Sequence, residues 1–229
     1  MEHPYLFFVK LFELIGLEHF AHAYPHVIYS WVVMAFLIIV GSLAARTLNL
    51  IPNKIQNVFE AIISGIENFL VDTAGEEGRW LFPVVATVFL YIFTCNLIGL
   101  FPGFFPPTAS LNTTASCALT VVIFTHIIGI KYHGVKYIKH FMGPVWWMSP
   151  LIFIIEIIGH SARILSLSFR LFGNITGHEI VLAILFGLAG MFFAPLPIMV
   201  LGIFVAFVQA FVFFLLSIIY FSGAMEHAH

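Results

Sequence analysis

Runs of roughly 20 residues with almost no charge, separated by short polar stretches, set the terms on which this chain can fold. Residues 27–43, VIYSWVVMAFLIIVGSL, are one such run. A helix rises about 1.5 Å per residue, so a run of this kind covers most of a hydrocarbon layer about 30 Å thick. The runs do not alternate strictly between apolar and polar residues, which sets aside a membrane β-barrel. Only 9% of the residues are Asp, Glu, Lys or Arg, against about 25% in an ordinary soluble domain. That leaves more apolar surface than water tolerates, and lipid is the solvent it fits. The expected class is an all-α integral membrane protein with five transmembrane helices, a single membrane domain over 1–229.

The crossings are placed at 27–45, 80–100, 114–130, 150–193 and 198–222. Residues 1–26 form an N-terminal segment outside the membrane. Its opening, MEHPYLFFVKLFELIG, has acidic residues on both sides of Lys10 and lacks a small-residue cleavage site. It reads as a short amphipathic helix at the interface rather than a removable signal. Residues 54–72 place Ile55, Val58, Phe59, Ile62, Ile66, Phe69 and Leu70 at helical spacing, with Glu60 and Glu67 elsewhere. This stretch is too polar to span, and an amphipathic interfacial helix is expected. FPGFFPP at 101–107 and APLP at 194–197 stop helices and build turns. Cys95 and Cys117 sit in apolar segments without a spaced motif and read as packing residues.

The segment 149–193 is unusual. Beyond Pro150 in its first turn no proline interrupts it, and a continuous helix of that length would run roughly 67 Å, over twice the hydrocarbon thickness. Either it tilts steeply or it breaks near Gly173 and Gly177. The polar groups along its middle favour a long tilted helix packed on a protein partner. Orientation follows from the cations: Arg46, Lys54 and Arg79 bracket one loop region, and Lys131, Lys136 and Lys139 lie in another on the same side. Both are expected to face the cytoplasm, with the N-terminus outside and the C-terminus inside.

The chemistry concentrates in Glu156, His160, Arg163, Arg170, Asn174, His178 and Glu179, all on this segment. An arginine at a helix centre costs about 2.5–3.5 kcal/mol on insertion scales, so Arg163 and Arg170 must face protein, water or a carboxylate. Glu179 lies nine residues beyond Arg170, about 13 Å along a straight helix and on its opposite side, so the two do not pair directly. Each residue also has a plain structural reading. Arg163 could pair with Glu156 or snorkel; His160 could pack; Asn174 and Gln209 could be glue between helices; Glu179 could anchor a surface. Arg170 fits a structural role poorly, being central and without an acid in register.

SLSFRLFGNITGHE, from Ser166 to Glu179, closely resembles the signature of the a-subunit family of F-type ATP synthases, built around an Arg-Leu-Phe-Gly-Asn core. AFVQAFVFFLLSIIY, with Gln209, resembles that family's last helix, and PTASLNTTASCAL, from Pro107 to Leu119, its loop into the third span. The resemblance runs in order over most of the chain from Ile28 onward. It implies an ion-translocating stator, with protons the expected ion, in a bacterial inner membrane. The last two helices would form a tilted hairpin against a rotating ring of c subunits. Further partners would be the b subunit of the peripheral stalk, the other synthase subunits and lipid, with no nucleic acid and no cofactor. ATP chemistry belongs to the soluble head, so no catalytic residue is expected here.

By the same resemblance, Arg170 faces the ring carboxylate and separates two half-channels. Asn174, Glu179 and Gln209 match residues lining the outer half-channel or shaping the interface. Glu156 matches an acid near the cytoplasmic half-channel, with Ser166 on that route. Two departures stand out. Many family members carry a histidine in the last helix and a small residue before the glutamate; here Gly202 and His178 stand at those places, as if the imidazole had changed helix while keeping its space. His178 could then relay protons or tune Glu179. Ser110 stands where an Asp is common, which weakens any role of that loop in gathering protons. The competing readings are a proton-coupled secondary transporter, which would use Arg170 and Glu179 without a ring, a structural subunit that tolerates loss of Arg170, and a haem protein using His126 and His140.

Overall fold

Proline and glycine mark the helix ends in the computed structural model, which describes residues 6–14, 16, 18–46, 54–101, 103–134, 137, 149–189 and 195–225. The helices are α1 (Phe7–Leu14), α2 (Glu18–Ala23), α3 (Pro25–Arg46), α4 (Lys54–Ala74), α5 (Phe82–Ile98), α6 (Leu111–His133), α7 (Ser149–Ala189) and α8 (Pro195–Met225). Short 3-10 segments cover Glu76–Leu81 and Pro107–Ala109. Pro25 and Pro195 open their helices and Pro150 lies in the first turn of α7, where a missing N–H costs nothing. Gly134 closes α6 at φ +55°, a conformation that side chains disfavour, with its N–H on the Ile130 carbonyl at 2.8 Å.

Among the described residues five helices are long and apolar enough to cross a membrane: Pro25–Arg46, Glu76–Ile98, Leu111–His133, Ser149–Leu185 and Pro197–Met225. The second begins as a 3-10 turn at Glu76 rather than at Trp80. The expected N-terminal helix is two short ones, since Gly16 at φ +87° turns the chain between α1 and α2. The long segment does not break at Gly173 or Gly177: α7 is continuous through both. At about 1.5 Å per residue it measures about 60 Å, so it tilts or leaves the hydrocarbon. The turn at 47–53, Lys136, Lys139, His140, 190–194 and the C-terminal tail lie outside the described residues.

One core cluster joins α4 to α8. Phe69 meets Phe211 and Phe214 at 5.4 and 5.6 Å between ring centres, and Phe89 meets Phe214 at 5.4 Å. Leu167, Leu171 and Ile175 bring α7 onto it at i, i+4, i+8. A second cluster, around Tyr29 with Phe8 and Phe104, seats α1 and α2 on α3 and on the turn before α6. There the Gly103 carbonyl accepts from the Phe7 N–H and the Tyr29 hydroxyl, both at 3.3 Å. Hydroxyls inside the bundle bond their own helix, as in Thr125 to Val121, Ser168 to Ile164 and Ser217 to Phe213. That satisfies them where water is absent.

At the end of the bundle holding Gly134, Arg79 Nε lies 2.7 Å from Glu67 and Lys131 Nζ 3.6 Å from the Trp80 ring centre. Trp80 Nε1 donates to Tyr132 Oη at 3.1 Å. Cations and amphipathic aromatics gathered at one level are what an interface selects. α4 divides along its length: Phe69 and Leu70 enter the core while Val58 and Ile62 stay exposed.

Three segments meet at the other end through a buried polar link. Thr108 Oγ1 donates to Asn96 Oδ1 at 2.7 Å, and Asn96 Nδ2 donates to the Ala206 carbonyl at 3.4 Å. Thr108→Val keeps the shape but strips the amide oxygen of its donor. We expect a loss of about 1–3 kcal/mol, read as a lower unfolding temperature of the purified complex; an unchanged temperature would show that the link carries no stability.

Candidate functional site

α7 turns one stripe inward and leaves the rest open. Leu167, Leu171, Ile175 and Leu182 are buried, while Ser166, Phe169, Arg170, Gly173, Asn174 and Gly177 are exposed. In the membrane-length window of α7 only 11% of residues are buried, so its open face needs lipid or another protein. Arg170 stands on this face. Among the described residues no carboxylate pairs with it. On α7 itself Glu156 and Glu179 stand fourteen and nine residues away, about 21 and 13 Å along the axis. Ser166 is exposed one turn before it on the same side.

The two sides of Arg170 differ. Towards the N-terminus of α7, the Glu156 carboxylate lies 3.5 Å from His160 Nδ1, which also donates to the Glu156 carbonyl at 2.9 Å. Arg163 does not take Glu156, the pairing that spacing allowed. Its guanidinium carbon sits 5.1 Å from the centre of the Tyr220 ring on α8, where the ring face attracts a cation.

Towards the C-terminus of α7, Asn174 Nδ2 donates to Gln209 Oε1 at 2.7 Å. Gln209 is buried, so an amide pair ties the hairpin of α7 and α8 one turn beyond Arg170. One turn further, His178 and Glu179 line a cavity of about 10 Å³ with Asn96, Gly99, Pro106, Gly202 and Val205, the space that about one water needs. His178 Nε2 is buried without a hydrogen-bond partner among the described residues. A polar atom so placed beside a wettable cavity has a use for water there.

Gly202 answers His178 directly. A Cβ at 202 would run into His178 Nε2, lie 2.7 Å from its Cε1 and 2.5 Å from Leu100 Cδ2. The imidazole therefore fills the space that a larger side chain on α8 would take.

Of the residues that the resemblance places in the half-channels, Asn174 and Gln209 touch, and His178 and Glu179 share a cavity. Glu156 and Ser166 lie on the far side of Arg170. Asn96, Gly99 and Pro106 were missed as cavity residues. Asn96 was findable as an amide inside an apolar span, whereas Gly99 and Pro106 carry no chemical signal. Ser110 is not among the cavity's lining.

The family model for the ATP synthase A chain matches residues 27–222. The chain is 70% identical to ATP synthase subunit a of Desulfosudis oleivorans, with all of both chains covered. It is 58% identical to the subunit of the same name from Syntrophobacter fumaroxidans, and 53% to that of Citrifermentans bemidjiense, again with full coverage of each.

Proposed function

The chain belongs to the ATP synthase A chain family, and we propose that it passes protons through two half-channels set on either side of Arg170. It is the ion-translocating stator subunit of an F-type ATP synthase, a multi-pass membrane subunit of that complex without a catalytic site of its own. The observation that carries the half-channel reading is the exposed Arg170 midway along an unbroken helix, without a carboxylate partner among the described residues and with polar groups on both sides. Transporter and haem readings give way to the family match.

The outer half-channel runs through the cavity of Asn96, His178 and Glu179, and the inner one along Ser166 towards Glu156. A proton entering from outside passes His178 and Glu179 to a carboxylate on the ring of c subunits, which packs on the open face of α7. The neutralised carboxylate moves into lipid. After nearly a full turn it meets the inner half-channel, where Arg170 draws off the proton by favouring the charged form. A guanidinium stays protonated at any working pH, so it holds the carboxylate without relaying protons itself. A short circuit between half-channels would have to pass this fixed charge. Each charge moved through 100 mV supplies about 2.3 kcal/mol to rotation.

The cations at the Gly134 end support a cytoplasmic inner side, which leaves the N-terminus outside in a bacterial inner membrane. The b subunit of the peripheral stalk and lipid cover the open faces away from the ring. His178 and Glu179 line one cavity, so the imidazole is placed to relay protons to the carboxylate.

Cysteine substitutions test both channels and the orientation. Val205→Cys, in a background of Cys95→Ala and Cys117→Ala, should react with a membrane-impermeant thiol reagent from the outer face. Ser166→Cys should react from the inner face. The same sidedness for both sites, or labelling of neither, would overturn the two-channel reading.

A further inference from the structure

At the inner end a ring cluster joins α6, α7 and Tyr137, which lies beyond α6. The rings of His126 and His160 stack at 4.7 Å between centres, 23° apart. His126 Nδ1 is 2.9 Å from the hydroxyl of Tyr137. That tyrosine folds back over α6 because residue 129 is glycine: a Cβ there would lie 2.6 Å from Tyr137 Cζ. His160 Nδ1 donates to the Glu156 carbonyl at 2.9 Å and lies 3.5 Å from the Glu156 carboxylate.

Resting on the reading of Glu156 as an inner half-channel residue, we propose that His126 and His160 form the proton-receiving pair of that half-channel, holding one proton at a time beside Glu156. In the neutral ring the bond from Nδ1 to a carbonyl fixes the tautomer and leaves Nε2 as the basic atom of His160. A proton taken up at Nε2 makes an imidazolium facing Glu156. Release of the Nδ1 proton to that carboxylate returns a neutral ring and a neutral acid, so charge balances. Two imidazolium rings stacked at this spacing repel each other. The pair therefore carries a single proton.

The charged and titratable groups facing the pair suit that task. Among the described residues, Glu156 and Arg163 on α7 and Tyr137 beyond α6 stand around the pair, and the Tyr220 ring of α8 holds Arg163. With Arg163 drawn over Tyr220, Glu156 stays with the histidine. His133, further along α6, bonds the Ala224 carbonyl at 3.2 Å.

The test is the initial rate of ATP-driven proton uptake by inverted vesicles carrying the whole complex, whose inner face meets the bath. Native protein is compared with His160→Asn and His126→Asn, substitutions on separate helices that keep a polar side chain. Arg170→Gln is run alongside, and washed membranes are checked for the retained catalytic head. Each asparagine variant should pump about tenfold slower near pH 8, where free protons are scarce, and close to native near pH 6. Native rates at every bath pH, or slowing by the same factor throughout, would overturn the pair while leaving the half-channels standing, provided Arg170→Gln is inactive. Normal pumping by Arg170→Gln would instead remove the reading on which the pair rests.

Discussion

Arg170→Gln will abolish ATP synthesis driven by an ion gradient in vesicles carrying the whole complex, while the complex stays assembled. Assembly should survive because Arg170 is exposed on α7 and takes no part in the packing of Leu167, Leu171 and Ile175. Glutamine keeps length and hydrogen bonding but removes the charge. A deprotonated ring carboxylate would then face the apolar hairpin alone. An unpaired intramembrane charge costs about 2.5–3.5 kcal/mol, and at about 1.4 kcal/mol per factor of ten this lowers the population of the charged state about a hundredfold. Nothing then blocks direct leakage between the channels, so the gradient should also drain faster. Normal coupled synthesis would sink the role of Arg170 as the fixed charge.

The second large effect is expected at Gly202. Gly202→His places a ring where His178 already stands, and even Gly202→Ala brings a Cβ against that imidazole and Leu100. Overpacking of this kind costs about 1–3 kcal/mol, and here it also closes the cavity beside Glu179. Gly202→His and His178→Gly should each lower ion-driven ATP synthesis strongly. The double variant His178→Gly with Gly202→His should recover most of it, with a coupling between the sites of at least about 1 kcal/mol on the synthesis rate. A double variant as poor as the two losses combined would mean that the positions do not share one space.

The difference between these two sites shows what could be read without coordinates. Arg170 is legible because its cost in lipid depends on the residue alone and no acid stands in register along one helix. Glu156 and His160 are legible as an i, i+4 pair. His126 and His160 belong to separate helices, and only packing brings their rings together. The same holds for Thr108 with Asn96, where a turn folds back on a span. Gly202 illustrates the harder case: its meaning is the room it leaves for a side chain on another helix, and nothing in the glycine itself says so. Arg163 had two partners open to it by spacing and snorkelling, and it took a third, the ring of Tyr220. The span positions were clear because hydrophobic length decides them. Whether α7 would bend at its two glycines was open, since glycine permits a break without requiring one.

The unbroken course of α7 has a consequence for how this chain can vary. With Glu156, Arg170 and Glu179 on one rigid rod, inserting or deleting a single residue between them would turn everything downstream by about 100°. Arg170 would swing off the open face, or Glu179 out of its cavity, though every side chain was still present. Changes of length are forbidden in the stretch of α7 between its acids.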